Sequence, residues 1–555
     1  LPAGETPAAF VDRVRGLVSL EPPHVTAATA SPVGPVSTAA APARQEVPTF
    51  SRSHGVLLAI AAAAVLGALA YFALDRFWIS KHPVPPPTPA AAPAAFSPPP
   101  HSIAVLPFVN LSGDKEQEYF SDGLTEELLN SLAEIDGLQV AARTSSFSFR
   151  EHPDVATVDH KLNVAAVLEG SVRRSANTVR VTAQLINAVT GFHQWSKTYD
   201  RDLGDVLMLQ TEIATAVATA LKVTLLGDIS AKIELGGTHN PAAFDAYLRG
   251  SKILDRSVGD AESLQSAIGA FTEALHLDPN YALAFAGRSL ARTRSAGEYG
   301  TDPAAVREGL DKALSDAHQA IALTPELAES YRALVGVEFA SQQYRQASEA
   351  YERVIALARG SARFLPEYGR FTVLMGRTDA GIAAGRRGVA LDPLNPRCHY
   401  RLGEGLFYAR HYEESIAAYD AALALEPNNA RTHGFRGLAY YALGDLQNAR
   451  ASCEFKPGNW VTQWCLAVTY DKLGRHADAE SELATIKATS GDTSAYQYAA
   501  IYAQWGNRLK SLEWLETALR VGDVGLVFVK TDPLLDPLRK EPRFQAVMGK
   551  LKFPE

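Results

Sequence analysis

One sequence pattern recurs through the second half of this 555-residue chain and restricts its fold more than any other feature. Pro325, Arg359, Pro393 and Pro427 share one phase at intervals of 34. Ala267, Phe271, Ala274 and Pro279 place small, aromatic, small and proline residues at fixed offsets, and Ser415, Tyr419, Ala422 and Pro427 repeat the pattern. Self-similarity at this period predicts stacked helix pairs. Small residues let two antiparallel helices approach, the aromatic fills the space beside them, and proline ends the second helix.

These residues resemble tetratricopeptide repeats, of which about eight fit between 240 and 520. Gly381, Gly385 and Gly388 take the small positions of the fourth repeat and read as packing contacts. The second repeat carries an insertion at "AGEYGTDPAAV", and the sixth is shortened at "CEFKPGN". Such a solenoid takes a protein or peptide partner on the concave face lined by the first helix of each repeat. The phase puts Arg397, Tyr400, Phe407, Arg431, Tyr441 and Trp464 on that face, with a core role for some of them left open. Arginine and aromatic side chains are the usual anchors of peptide recognition. Residues 521–555, with "KTDPLLDPLRKEPRFQAVMGKLKFP", are expected to cap the last repeat.

Upstream, residues 101–226 read as β-α-β-α-β-β-β-α, a compact α/β domain. An apolar strand at 102–109 feeds a helix at about 120–134, three alternating runs form a meander, and a last helix carries Val206, Leu209, Ile213, Val217 and Leu221 on one face. The loop after the first strand holds Asp114, Glu116, Glu118 and Asp122, which would repel a phosphate, so no P-loop is expected there. "GEGLFY" at 403 lies within a helical repeat and reads as packing.

The stretches "IAVLPFVNLSGD", "YFSDGLTEELLNSLA", "LQVAARTSSFSF" and "LNVAAVLEGSVRRSANTVRVTAQLINAVTGFHQWSKTYDRDL" resemble the TolB-like amino-terminal domain of bacterial multidomain signalling proteins. That resemblance implies a sensory or interaction module set between a membrane helix and the repeats, with no chemistry of its own. The effector in such proteins is a winged-helix, adenylate cyclase or protein kinase domain, and here it would lie upstream of Leu1.

Residues 55–74 carry no charge and are long enough to cross a bilayer, so a transmembrane helix is expected over 55–78. Residues 1–54 read as a disordered Ala/Pro-rich segment, and 79–100, with nine prolines among 83–100, as a Pro-rich linker. Flanking charges are balanced, Arg44 and Arg52 against Arg76 and Lys81, so the expected inner-membrane topology with periplasmic C-terminal domains rests on the resemblance. The expected fold class is thus multidomain: one transmembrane helix, a TolB-like α/β domain and an all-α solenoid.

The net charge of −8, with no dense Lys/Arg cluster, argues against nucleic acid as a partner. No CxxC or His-paired spacing occurs, so no metal, cofactor or catalytic residues are expected. Cys453 and Cys465 could close a twelve-residue loop in an oxidising compartment or remain two buried thiols, with Cys398 unpaired either way. The function expected is a membrane-anchored sensory or scaffolding protein in signal transduction, not itself an enzyme. The alternatives are the regulatory part of a membrane-bound cyclase or kinase, and a tethered transcription regulator.

Overall fold

The computed structural model describes residues 97–554 except 136, 152–153, 176–177, 203–204, 224–233, 256–259, 300–301, 359–360 and 457. The segment expected to be disordered, the span at 55–78 and nearly all of the Pro-rich linker lie outside the described residues. The expected fold class needs correction: among the described residues no helix is long and apolar enough to cross a membrane, and the chain is mostly a helical, TPR-like solenoid.

Ahead of the solenoid stands one mixed sheet. Its strands are β1 (Ser102–Val105), β2 (Val109–Asn110), β3 (Gln139–Val140), β4 (Ala166–Ser175), β5 (Thr178–Asn187) and β6 (His193–Asp202), ordered β3-β1-β4-β5-β6 with β2 also on β4. β1 is parallel to both neighbours, Ile103 lying opposite Val140 and Ala166. Every β1 residue is buried, as expected of a strand covered on both faces. Ile103 and Val105 pack with Leu124, Leu128, Leu209 and Ile213 of helices Glu118–Ala133 and Val206–Ala220. Ala104 turns the other way, toward Val158 and Leu162 of helix Val155–Leu162. β4, β5 and β6 form the antiparallel meander that their alternation predicts, and β6, mostly exposed and bearing Lys197, Asp200 and Arg201, is a charged edge strand. A short helix, Arg143–Phe147, was not expected from the sequence.

Eight helix pairs follow among the described residues: 241–255 with 261–277, 282–299 with 303–323, 328–340 with 344–357, 365–374 with 378–391, 396–408 with 412–425, 430–443 with 446–454, 460–472 with 476–490, and 495–504 with 508–521. Their packing follows the repeat phase. Phe271 is fully buried where Gly250 and Gly287 leave room: a Cβ at Gly287 would stand 2.6 Å from its ring. Tyr419 fills the same kind of space beside Gly403. Asn395 and Asn429, one repeat period apart, each cap a first helix, accepting from the backbone N–H of Arg397 at 2.9 Å and of Thr432 at 3.0 Å. The insertion in the second repeat lengthens its helices to 18 and 21 residues.

The α/β domain is joined to the repeats by one continuous apolar core, in which Phe120 and Leu124 share a cluster with Phe244, Tyr247, Leu248 and Phe271. Asp245 adds polar contacts, accepting from Tyr119 Oη at 2.6 Å and from Arg174 at 2.7 Å. A second junction forms at the turn 392–395, where Leu394 N–H donates to Ser145 Oγ at 2.9 Å.

The segment expected to cap only the last repeat does more. Residues 523–554 fold back onto the third to fifth helix pairs as two 3-10 turns and helix Pro542–Leu551. Gln342 Nε2 donates to the Asp523 carbonyl at 3.3 Å, and Lys530 Nζ donates to the carbonyls of Met375 at 2.9 Å and Pro554 at 2.8 Å. Phe528 stacks on Tyr408 at 4.9 Å, and Phe553 on Tyr344 at 5.0 Å. Leu526, Val527, Leu534 and Leu535 join the same core as Phe371 and Phe407.

Candidate binding groove of the solenoid

The expected partner-binding residues separate into two groups. Phe407 is 0% exposed and Trp464 2%, with Tyr400 and Tyr441 also buried, so none of the four lines an open surface. Phe407 packs on Tyr408 and Tyr412, and Trp464 on Phe435 and Trp460. Tyr441 donates its hydroxyl to Gln504 Oε1 at 2.9 Å, and burial pushes its pKa up to about 12. The physical reason is packing between neighbouring helices: Tyr400 lies against Tyr419 and Phe435, Phe407 and Trp464 against the rings just named, and Tyr441 against Gln504 of the last helix pair. Arg397 and Arg431, by contrast, remain exposed at the edge of an open cavity.

That cavity, about 670 Å³, is lined by Tyr247, Leu283, Leu290, Arg294, Glu329, Arg332, Arg363, Glu367, Arg397 and Arg431 among others. Nearly all of its wall comes from the first helices of six consecutive repeats or the residues just ahead of them. Helix starts deliver the charges. Arg397 and Arg431 are each the second residue of a first helix, set by Asn395 and Asn429, and Arg363 stands just ahead of helix 365–374.

Five arginines face two glutamates along this wall, in a chain whose net charge is −8. Glu367 Oε1 accepts from Arg397 Nη2 at 2.7 Å and Nε at 2.9 Å, and from Arg401 Nε at 2.9 Å. Burial opposes ionisation of Glu367, but the guanidiniums of Arg401, Arg397 and Arg370 outweigh it and hold the carboxyl well below the usual carboxylate range. Glu404 beneath is treated the same way: it is fully buried, paired with Arg401 and lies 3.2 Å from Arg370. Arg363 approaches Glu329 at 3.7 Å. Arg431 makes no ion pair among the described residues, and its guanidinium lies over the rings of Tyr400 at 5.7 Å and Trp460 at 5.8 Å. Of these residues the sequence reading missed Arg363, Arg332, Glu329 and Glu367. Arg363 was findable, since it precedes Arg397 by the same repeat period that separates Arg397 from Arg431.

The acidic loop after β1 is spent on structure. Asp114 caps a turn by accepting from Glu116 N–H at 2.9 Å, and Glu118 and Asp122 both pair with Arg150. Cys453 and Cys465 are joined in a disulfide with their Cα atoms 6.2 Å apart, and Cys398 is a buried free thiol. Among the described residues no group of His, Cys, Asp and Glu is arranged to hold a metal.

Residues 411–444 match the family model described as a TPR repeat. A protein of Rhizobium meliloti (strain 1021) named "Putative adenylate cyclase 3" is 41% identical over 206 residues, 37% of this chain and 35% of that protein. The Hsp70-Hsp90 organizing protein of Triticum aestivum is 27% identical over 119 residues, 21% of this chain and 20% of the relative. Among solved structures, a tetratricopeptide repeat protein from Parabacteroides merdae is 10% identical with a TM-score of 0.36, covering 48% of this chain and 99% of that one. The chain thus carries a TPR repeat at residues 411–444 and spans about a third of the length of the first of these curated relatives and a fifth of the second.

Proposed function

We propose that residues 97–554 work as a recognition module that binds a polypeptide partner in the open part of the solenoid's inner face and has no catalytic activity of its own. One observation carries this reading: the first helices of six successive repeats converge on one cavity of about 670 Å³ whose wall combines apolar residues with exposed guanidiniums. Its charged groups are paired with one another as recognition surfaces are, and not as a nucleophile with a base. An array of immobilised random peptides probed with the full chain tests the reading. Sequence-selective binding that changes when Arg397 and Arg431 are replaced supports it, and an array left blank by the native chain refutes it.

A second reading has support in the relative from Rhizobium meliloti, which is 41% identical over 206 residues. In it, the same module regulates a cyclase effector, and signalling is its role. The full chain incubated with ATP and a divalent cation should then yield no cyclic AMP by itself, and formation of cyclic AMP would remove the non-catalytic assignment. The Cys453–Cys465 pair supports an oxidising surrounding such as the periplasm for the repeats. A phosphatase reporter fused after residue 554 that stays inactive would count against that location.

A further inference from the structure

The sheet of the α/β domain ends on one side in β6, and among the described residues no strand lies against its outer edge. An open edge of this length is a template for another strand, and charges on such an edge restrict which strands can pair with it. β6 packs on β5 and on helix Val206–Ala220, while the solenoid reaches the domain through helix Glu118–Ala133, Arg174 and helix Arg143–Phe147.

Side chains alternate along the edge. Trp195, Lys197, Tyr199 and Arg201 share the face that the helix covers, where Tyr199 is buried and Arg201 Nη2 donates to Glu212 at 2.9 Å. Ser196, Thr198 and Asp200 share the other face and are exposed, with Thr198 Oγ1 3.1 Å from Thr182 Oγ1 of β5. The strand is regular over 195–202, since its register against β5 shifts between Leu185 and Ile186.

A second copy of this strand can continue the sheet in few ways. Antiparallel partners put residues of the same face opposite each other, so a two-fold axis passes through one residue, which then meets itself. An axis at Lys197 sets Lys on Lys, one at Tyr199 sets Lys197 on Arg201, one at Asp200 sets Asp on Asp, and one at Arg201 sets Arg on Arg. Like charges directly opposite are destabilising. Axes nearer either end leave most of the regular strand unpaired. An axis at Thr198 opposes no like charges: Thr198 meets Thr198, Lys197 meets Tyr199, Ser196 meets Asp200 and Trp195 meets Arg201, so that all of 195–201 is paired.

This register extends contacts the edge already makes. Lys197 Nζ lies 4.5 Å and the Arg201 guanidinium 5.9 Å from the Tyr199 ring of their own chain, and the pairing repeats such cation-ring contacts between copies. Tyr199 is 2% exposed, and its hydroxyl has no hydrogen-bond partner among the described residues. Lys197 of the second copy brings ammonium donors opposite it.

We propose that β6 pairs antiparallel with β6 of a second copy of this chain, with Thr198 on the two-fold axis, so that two six-stranded sheets join into one. The inference is independent of the recognition reading, and the assembly carries that reading's open cavity twice.

The test uses the full chain with cysteines placed on the exposed face of β6, oxidised with copper-phenanthroline and resolved on a non-reducing gel. The native chain, whose free thiol Cys398 is buried, is the blank. Thr198→Cys is expected to give a covalent dimer, since paired Cα atoms stand about 5 Å apart, within disulfide reach. Ser196→Cys and Asp200→Cys should each stay monomeric, because each lies about 13 Å along the strand from its own copy at about 3.3 Å per residue. The Ser196→Cys, Asp200→Cys double variant should cross-link. Sedimentation of the unoxidised chain gives a second readout: Thr198→Lys and Thr198→Glu, both at an exposed position, should each weaken the dimer several-fold, and an equimolar mixture of the two should restore it. A native chain that sediments as a monomer, no cross-linking by Thr198→Cys, equal cross-linking by the three single variants, or association indifferent to Thr198→Lys overturns the proposal. None of these outcomes bears on the peptide array, so the two readings fail separately.

Discussion

Asp392, in the turn between the fourth and fifth helix pairs, accepts from both the backbone N–H of Ser145 at 2.9 Å and its hydroxyl at 2.6 Å, 247 residues earlier in the chain. Both residues are buried, so this carboxylate fastens the short helix Arg143–Phe147 of the α/β domain to the solenoid. Replacing Asp392 with Ala leaves two buried donors without their acceptor and should cost about 2 to 3 kcal/mol. Asp392→Asn, which keeps one acceptor oxygen, should cost less. Denaturant unfolding of the two variants checks the order.

Acidity acts on the solenoid and its junction with the α/β domain through two half-buried carboxyls. Burial, reinforced by Glu126, pushes Glu127 up to about 8, and burial with Glu349 nearby pushes Glu338 up to about 7. Both folded values lie above the unfolded value of 4.5, so the folded chain holds more protons than the unfolded one across that interval. Their contribution to stability is complete below about pH 4.5 and is lost as pH rises through 7 and 8. The thermal midpoint should therefore rise as pH falls from about 8.5 to about 6.5, and a Glu127→Gln, Glu338→Gln double variant should flatten that slope.

The disulfide ties helix 446–454, the shortened one, to helix 460–472. Closing a twelve-residue loop stabilises a fold by roughly 2 to 3 kcal/mol. Reductant, or paired Cys453→Ser and Cys465→Ser substitution, should lower the denaturant midpoint accordingly. The unfolded, unreduced chain should titrate one thiol, that of Cys398.

Gly381 and Gly369 let two helices touch backbone to backbone. A Cβ on Gly381 would stand 2.5 Å from the Gly369 carbonyl oxygen, and one on Gly369 would stand 2.7 Å from that of Gly381. In an open helix Gly→Ala would gain up to about 1 kcal/mol of propensity. Here the obstacle is backbone that cannot rotate aside, and overpacking at about 1 to 3 kcal/mol should win. Gly381→Ala is expected to melt earlier than the native chain.

Phe407→Ala and Trp464→Ala should each cost about 3 to 5 kcal/mol, the scale of an aromatic removed from a packed core. Peptide affinity measured on whatever fraction stays folded should be nearly unchanged, since neither side chain lines the open cavity.

The repeat phase was legible because it is local: Phe271, Tyr419 and the small residues around them are fixed by contacts within one helix pair or between neighbours. So was the meander, where alternation along β4 and β5 reports which residues face the core. The inner-face assignment failed for Tyr400, Phe407, Tyr441 and Trp464 because what covers them comes from neighbouring helices and, for Tyr441, from Gln504 of the last pair, and the periodicity of a single repeat carries no record of contacts between repeats. Arg363 was within reach of the same periodicity that found Arg397 and Arg431, but it sits ahead of its helix, where an amphipathic pattern does not look. Glu329 and Glu367 became visible only as the partners of those arginines.

The return of residues 523–554 also sets an order of events during synthesis. Gln342 waits for Asp523, 181 residues later, and Met375 waits for Lys530, 155 residues later. A ribosome adding about 5 to 20 residues per second needs roughly ten to forty seconds to cover the longer interval. As the third to fifth helix pairs emerge in turn, Tyr344, Phe371 and Tyr408 each wait for that segment, although a free-standing repeat array could have closed pair by pair as it emerged. A nascent chain arrested before residue 523 would thus be a better client for a holdase chaperone than its finished counterpart.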